Sequence, residues 1–387
     1  MHKEIRLMSI AGARPNFMKL AAIAKAVEKH NVSNATPLIR HIIVHTGQHY
    51  DEKMSKSFFE DLGIPKPDRN LGVGSGSHAA QTAEIMKRFE SVLLQESPDV
   101  LLVVGDVNST IACTLVASKI EYSRAAQRKR PLLVHVEAGL RSFDRDMPEE
   151  INRILTDALS DLLFVTEQSG IDNLRREGVL ENKIRFVGNV MIDTLIQHLE
   201  KARQSDIKKR LGVPERYGLV TLHRPSNVDQ KEVLESLVDC LVEVAKKIFL
   251  IFPVHPRTFK NIKEFSLLER LQSAGHILLT EPLGYLDFLN LIETATLMIT
   301  DSGGIQEEAT FLSVPCVTLR ENTERPVTIT EGTNLLIGTN PEKILKAVEE
   351  ILAGRGKEAK VPKYWDGKAG ERIVKVLCAT IRQGSSI

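Results

Sequence analysis

Two acidic residues stand where the chain turns from apolar to polar, and a third lies in a charge-rich segment. Asp106 follows Val100–Gly105, Glu137 follows Leu132–Val136, and Glu149 follows Pro148 in a segment rich in charge. A carboxylate at the mouth of a core strand is desolvated unless it has partners, and such a group can take up or return a proton. Taken singly, Asp106 or Glu137 also reads as a cap on the helix that follows. Both together, with His135 beside one of them, favour chemistry over capping. Arg141–Arg153 carries Arg141, Asp144, Arg145, Asp146, Glu149, Glu150 and Arg153. That density suits equally a loop organising a polar ligand and an ordinary helix start behind a proline.

A second group of residues suits anion binding. Gly12-Ala-Arg-Pro-Asn16 lies between an apolar run and an amphipathic segment, with Lys19 one turn further on. Arg14 offers a planar fork and Lys19 a mobile point charge, a pair fitted to a diphosphate. The Gly-x-Gly-x-x-Gly dinucleotide fingerprint is missing there. Gly72-Val-Gly-Ser-Gly-Ser77 follows no strand pattern and reads as a loop before a helix from His78. His223-Arg224 and His255-Pro-Arg257 place imidazole and guanidinium after two further apolar runs, where they can meet phosphate oxygens or pass protons. No spacing among them makes a zinc site, and no metal ligand set is expected. Asp301-Ser-Gly-Gly-Ile-Gln-Glu-Glu308 follows the run Ala295–Thr300 and opens a helical pattern. Unhindered N–H groups at Gly303 and Gly304, with Ser302 as a hydroxyl donor, make an anion cradle. Glu307 and Glu308 read as first-turn acids that either favour the helix dipole or reach a sugar hydroxyl.

Positioning these groups requires a scaffold of short buried strands. Ile5–Ile10, His41–Thr46, Val100–Gly105, Leu132–Val136, Leu162–Thr166 and Ile184–Val187 form a first set. Gly218–Leu222, Phe249–Pro253, Ile277–Thr280, Leu297–Thr300 and Cys316–Leu319 form a second, after a basic, solvent-facing helix near Leu195–Arg210. The runs are nearly uninterrupted in hydrophobicity and alternate with helical patterns, as in parallel sheets covered on both faces. The fold class expected is α/β, with two Rossmann-like domains facing a central cleft. Ligands bind beyond the carboxyl ends of such strands, where both sets carry their polar outliers. Residues 1–188 are expected to form the domain with the acids and 189–366 the second domain, while the terminal helix in 367–387 has apolar positions that need a surface to cover.

At 387 residues two domains are the prior. A formal charge of +1 argues against a nucleic-acid partner. Cys113, Cys240, Cys316 and Cys378 lie far apart in apolar or helical surroundings and read as buried thiols of a reducing compartment. The chain runs from Met1 into a strand pattern, and no segment approaches the ~18 apolar residues of a membrane span. A cytoplasmic protein without membrane insertion is expected.

These segments, in order, resemble the non-hydrolysing UDP-N-acetylglucosamine 2-epimerases. The resemblance covers almost the whole chain. It is carried by Gly12-Ala-Arg-Pro15, His45-Thr-Gly-Gln-His49, Gly105-Asp106, His135-Val-Glu-Ala-Gly-Leu-Arg141, Pro148-Glu-Glu-Ile-Asn-Arg153, Thr221-Leu-His-Arg224, Pro253-Val-His-Pro-Arg257, Thr300–Glu308 and Thr323-Glu-Arg-Pro326. It implies a GT-B-like architecture whose terminal helix, 367–387, packs back on the first domain, a UDP-sugar substrate, a homodimer, and no cofactor. It also implies reversible conversion of UDP-GlcNAc to UDP-ManNAc by elimination of UDP, a 2-acetamidoglucal intermediate and re-addition. Matched by motif, Asp106, Glu137, Glu149 and His223 become catalytic. Arg14 and Lys19 fall near the diphosphate, Ser302, Gly303 and Gly304 at the phosphate, Glu308 at the ribose, Phe288 at the uracil, and Arg325 reaches the ligand. Glu307 keeps the dipole-favouring reading. Arg141, His255 and Arg257 join the substrate-binding set, and Gln48 and His49 match part of a regulatory site.

Two departures from the best-known bacterial pattern bear on the substrate. Asn16 stands where many members have Glu, and Pro225-Ser-Asn227 replaces Arg-Glu-Asn. An epimerase of a modified UDP-HexNAc, a uronate or diacetamido sugar, is therefore the first alternative. A retaining glycosyltransferase of the same architecture, a hydrolysing epimerase and a non-catalytic nucleotide-sugar sensor are the others. The three acids argue against the glycosyltransferase and the sensor.

Overall fold

The computed structural model describes residues 4–48, 63, 65–122 and 129–382, apart from the side chain of Arg14. His49 lies outside the described residues. The chain forms two compact units, Met1–Thr194 with Lys363–Ile387, and Leu195–Pro362. The first division thus falls inside the helix Val190–Arg203 rather than before it. Thr194 donates to the Met18 carbonyl at 2.6 Å and Asp193 accepts from the N–H groups of Ala369 and Gly370, so the first turn belongs to the first unit. The segment Leu195–Arg210, expected as a solvent-facing helix, is shared between this helix and a short one, Ile207–Leu211, and it buries Leu195, Ala202 and Ile207.

Among the described residues the first unit has a seven-stranded parallel sheet. Its strands are β1 (Glu4–Ala11), β2 (Leu38–His45), β3 (Arg69–Asn70), β4 (Val100–Val104), β5 (Leu132–Val136), β6 (Leu162–Val165) and β7 (Ile184–Phe186), in the order β3-β2-β1-β4-β5-β6-β7. The order reverses at β1, as in doubly wound folds. Met8, Ile10, Leu101 and Val103 pack against Ile85, Phe89 and Leu93 of the helix His78–Glu96 and against Ala112 and Cys113 of the helix Asn108–Lys119. Fully burying a side chain such as Phe89 or Leu93 stabilises by ~1.5–3 kcal/mol. Ser77 starts the first of these helices by accepting from the Ala80 N–H at 3.3 Å. The last helix, Ala369–Arg382, buries Ile373, Val374, Leu377 and Ile381, and Gly370 lies close against Ala22 and Ala26 of the helix Arg14–Val32.

The second unit has a six-stranded parallel sheet. Its strands are β8 (Tyr217–Thr221), β9 (Phe249–Pro253), β10 (Ile277–Thr280), β11 (Leu297–Thr300), β12 (Cys316–Thr318) and β13 (Asn334–Leu336), ordered β10-β9-β8-β11-β12-β13. Strand alternation supplies two cores. Val220, Leu297 and Ile299 join the cluster with Leu234, Leu241 and Val348, while Leu219, Met298 and Cys316 join Leu291, Ile292 and Ala309 on the other face. All four cysteines are free and buried. No described helix is long and apolar enough to cross a membrane.

Candidate active site

In the first unit β4 and β5 are paired neighbours, so their carboxyl ends bring Asp106 and Glu137 side by side. Neither acid caps a helix: the helix Asn108–Lys119 starts behind Val107 without a side-chain cap. Glu137 is buried, has φ +73, and pairs with the Lys19 ammonium. Lys19 projects from the first helix, whose start is fixed by Asn16. Its Oδ1 accepts from the Ala13 N–H at 2.9 Å and its Nδ2 donates to the Val104 carbonyl at 2.9 Å. Gly105, with φ +68, leaves room for this group. A Cβ there would come within 3.1 Å of Lys19 Nζ, 3.3 Å of Asn16 Nδ2 and 3.4 Å of Glu137 Oε2.

Asp106 is gripped from the helix Pro148–Leu159. Arg153 pairs with its carboxylate, and Asn152 donates to its backbone carbonyl at 2.9 Å. Glu149 precedes these residues by three and four positions, on the same helical face, and is exposed. Glu150 is different in kind. It is buried, accepts from the Ser142 and Phe143 N–H groups at 3.0 Å, and meets Arg153 Nη2 at 2.5 Å. Burial pushes the Glu150 pKa up, but these donors and Arg153 outweigh it and hold the group below its ordinary value. The charge-rich loop is thus partly self-organising.

Arg141, expected to bind substrate, has a setting that the sequence did not suggest. It is buried, with Nη1 2.7 Å from Asp157 Oδ2 and Nε and Nη2 donating to Glu177 at 2.8 and 2.7 Å. Burial works to lower its pKa, but Glu177 and Asp157 raise it overall. Its planar fork fits carboxylates of its own unit as well as it would a ligand. Gln48 is also committed: its Oε1 accepts from the Ser109 N–H and hydroxyl at 3.1 and 2.7 Å.

In the second unit Asp301 is not part of the anion cradle itself. It is fully buried and accepts from the N–H groups of His223 and Arg224, from Asn227 Nδ2, and contacts His223 Nδ1 at 3.0 Å. Burial raises its pKa, and the bonds from His223 and Arg224 prevail, leaving it below the usual carboxylate range. With Nδ1 at a carboxylate, Nε2 is the ring nitrogen of His223 that this contact does not use. The His255 ring lies 5.8 Å from that of His223. Its Nδ1 accepts from the Arg257 N–H, and burial, His223 and Arg257 lower its pKa. Arg257 is exposed and paired with Asp229 through Nε at 2.7 Å.

The helix Gly303–Phe311 starts behind Ser302, whose side chain makes no capping bond, so the first-turn N–H groups stay available to an anion. A Cβ on Gly303 would strike Glu324 Oε1 at 2.6 Å, whereas one on Gly304 meets nothing within 4 Å. Glu307 does not lie in the first turn. It is buried one turn later and pairs with Arg325 Nε at 2.7 Å, which replaces the dipole reading with a buried ion pair. Glu308 is buried too. Its pKa is pushed up to about 7 by burial, with a lowering influence from Tyr285 and a further rise from Glu307. Glu324 is held below the usual range by Arg320, Arg325 and Arg224 in spite of burial. Phe288 is half-buried on the helix Tyr285–Glu293. Among the described residues no group of three or more His, Cys, Asp or Glu is placed to hold a metal ion.

Two Rossmann-type units, one with paired acids at its strand ends and one with a glycine-opened helix start, define the class of two-domain nucleotide-sugar proteins. A lipopolysaccharide outer core galactosyltransferase shares this fold at 14% identity and a TM-score of 0.56. The family model of UDP-N-acetylglucosamine 2-epimerase matches residues 31–378, and the chain belongs to that family. It is 47% identical over 380 residues to the UDP-N-acetylglucosamine 2-epimerase of Methanocaldococcus jannaschii, covering 96% of this chain and 99% of that one. A crystal structure of the M. jannaschii enzyme in complex with UDP-GlcNAc and UDP matches with a TM-score of 0.86, covering 97% of this chain and 100% of the other. The UDP-2,3-diacetamido-2,3-dideoxy-D-glucuronate 2-epimerase of Pseudomonas aeruginosa is 39% identical over 379 residues, covering 96% and 99%.

Proposed function

We propose that the protein interconverts UDP-GlcNAc and UDP-ManNAc without hydrolysis. The observation that carries this reading is the pair of cation-bound carboxylates, Asp106 with Arg153 and Glu137 with Lys19, at adjacent strand ends in a chain of this family. The hydrogen on sugar C2 has no neighbouring carbonyl to acidify it. A carboxylate takes that proton while the C1–O bond breaks and its electron pair leaves with UDP. The product pair is UDP and 2-acetamidoglucal. Re-addition of UDP at C1, with a proton delivered to the opposite face of C2, gives the epimer. Asp106, Glu137 and Glu149 supply the acid and base, and His223 serves the departing diphosphate through Nε2. Ser302, Gly303 and Gly304 hold phosphate, Glu308 the ribose and Phe288 the uracil, with Arg14, Lys19, His255, Arg257 and Arg325 as further binding groups. Arg141 serves by holding Asp157 and Glu177. The same reading makes the protein a cytoplasmic homodimer, checked by light scattering and cell fractionation.

Incubation with UDP-GlcNAc in deuterated water tests the reaction. UDP-ManNAc carrying deuterium at C2 is the expected product. Free ManNAc and UDP would mean hydrolysis, and no C2 exchange with any UDP-HexNAc would remove the proposal. The P. aeruginosa relative favours including diacetamido uronate sugars in the same assay. Preferred turnover of one of those would change the substrate and leave the reaction type standing.

A further inference from the structure

His135 and Asp157 are deeply buried polar residues of the first unit and have no part in the acid–base chemistry proposed above. The cross-strand neighbours of His135 are Val103 and Leu163, so an apolar side chain would suit its place in β5. Its imidazole instead lies between two acceptors. Nε2 is 2.8 Å from the Gly105 carbonyl oxygen, and Nδ1 is 2.6 Å from Asp157 Oδ1. A carbonyl and an ionised carboxylate are both acceptors, so each ring nitrogen faces a partner for an N–H. Asp157 keeps its charge although burial opposes it, because His135 and Arg141 hold it below the usual range. Its other oxygen accepts from the Gly139 N–H at 3.0 Å and meets Arg141 at 2.7 Å.

These bonds end on the two turns that carry the candidate acids. The Gly105 carbonyl belongs to the peptide that leads into Asp106. The Gly139 N–H closes the turn that begins at Glu137, whose left-handed backbone is also tied to β6 by the N–H groups of Glu137 and Ala138 on the Phe164 carbonyl at 3.1 Å. We propose that His135 and Asp157 are a positioning pair that sets the placement of Asp106 relative to Glu137, so that both carboxylates serve the same sugar carbon. The inference rests on the epimerase reading, and it assigns to the pair an effect on turnover with little effect on nucleotide binding.

Two variants separate the two contacts of the ring. In His135→Gln the amide nitrogen reaches the place of Nε2 and can keep the bond to Gly105. In His135→Asn it takes the place of Nδ1 and keeps only Asp157. Wild type and both variants are assayed for C2 deuterium exchange with UDP-GlcNAc, for kcat and KM, for UDP affinity by calorimetry and for thermal unfolding. The expected result is a kcat about 100-fold lower in His135→Asn, partly restored in His135→Gln, with KM and UDP affinity within about threefold of wild type. Equal kcat in all three proteins overturns the proposal, as does the reverse order of the variants. Loss of the cooperative melt or of UDP affinity in step with turnover also overturns it, since His135 would then only hold the unit together. Absence of exchange in the wild type would instead remove the epimerase reading, whereas failure of the variant pattern alone leaves that reading intact.

Discussion

In the first unit Asp106 and Glu137 stand at adjacent strand ends, Asp106 paired with Arg153 and Glu137 with Lys19. In the second, Asp301 is ringed by two backbone N–H groups, an amide and an imidazole, and Glu324 by arginines. The difference separates two settings of a carboxylate. In the first unit the acids pair with charged side chains of neighbouring helices, Lys19 on the helix Arg14–Val32 and Arg153 on the helix Pro148–Leu159. In the second, a carboxylate whose lone pairs are taken by backbone and side-chain donors is a structural anchor. Under the proposed function Asp301 acts through His223, and Glu324 through the arginines around the helix start at Gly303.

That comparison is sharpest if the two kinds of acid respond differently to loss of charge. Under the proposed mechanism Glu137→Gln removes a reacting group, and kcat is expected to fall by about 10³-fold while calorimetry shows UDP binding retained. Full activity in this variant would take Glu137 out of the mechanism. Asp301→Asn puts an amide against donors and frees the His223 tautomer, so a fall of about 100-fold in kcat is expected together with weaker UDP binding, because the anchor serves both. An effect on kcat alone would make Asp301 resemble the first-unit acids and break the distinction.

Smaller effects probe the scaffold. Gly105→Ala places a methyl 3.1 Å from Lys19 Nζ on a backbone with φ +68, and a loss of about 1–3 kcal/mol in denaturant unfolding is expected. An unchanged midpoint would show that the Lys19–Glu137 pair yields easily. Glu308 gives a pH signature. Its native pKa, near 7, lies above the ordinary value of 4.5, so between these values the native state holds a proton that the unfolded chain has released. Stability therefore falls as pH rises through that window. Glu308→Gln should flatten this part of the stability–pH curve relative to wild type. Identical slopes would mean that Glu308 is solvated.

Much of the scaffold was legible from residue patterns. Eleven of the strands were visible as short apolar runs, because parallel strands covered on both faces need no polar alternation. Strand β3 was not, since Arg69–Asn70 is two exposed polar residues recruited by pairing with β2. Strand β13 escaped because Asn334 opens it, and that residue is accommodated only by Thr318, Gln306 and Thr328 around it. The acids were legible as outliers at strand mouths. Asp157 carried no such signal, being one acid in a helix, and only its burial between His135 and Arg141 distinguishes it.

The sequence by itself determined the α/β rhythm, the doubling of the strand set and the identity of the polar groups at the strand ends. Those follow from local hydrophobicity and residue chemistry, which neighbours along the chain already express. It did not determine the role of each charge. Glu307 was readable as a dipole-favouring residue until the fold buried it against Arg325, and Arg141 as a ligand contact until it met Asp157 and Glu177. How a carboxylate is held depends on the donors that surround it, and those donors arrive from strands and helices far away in the chain.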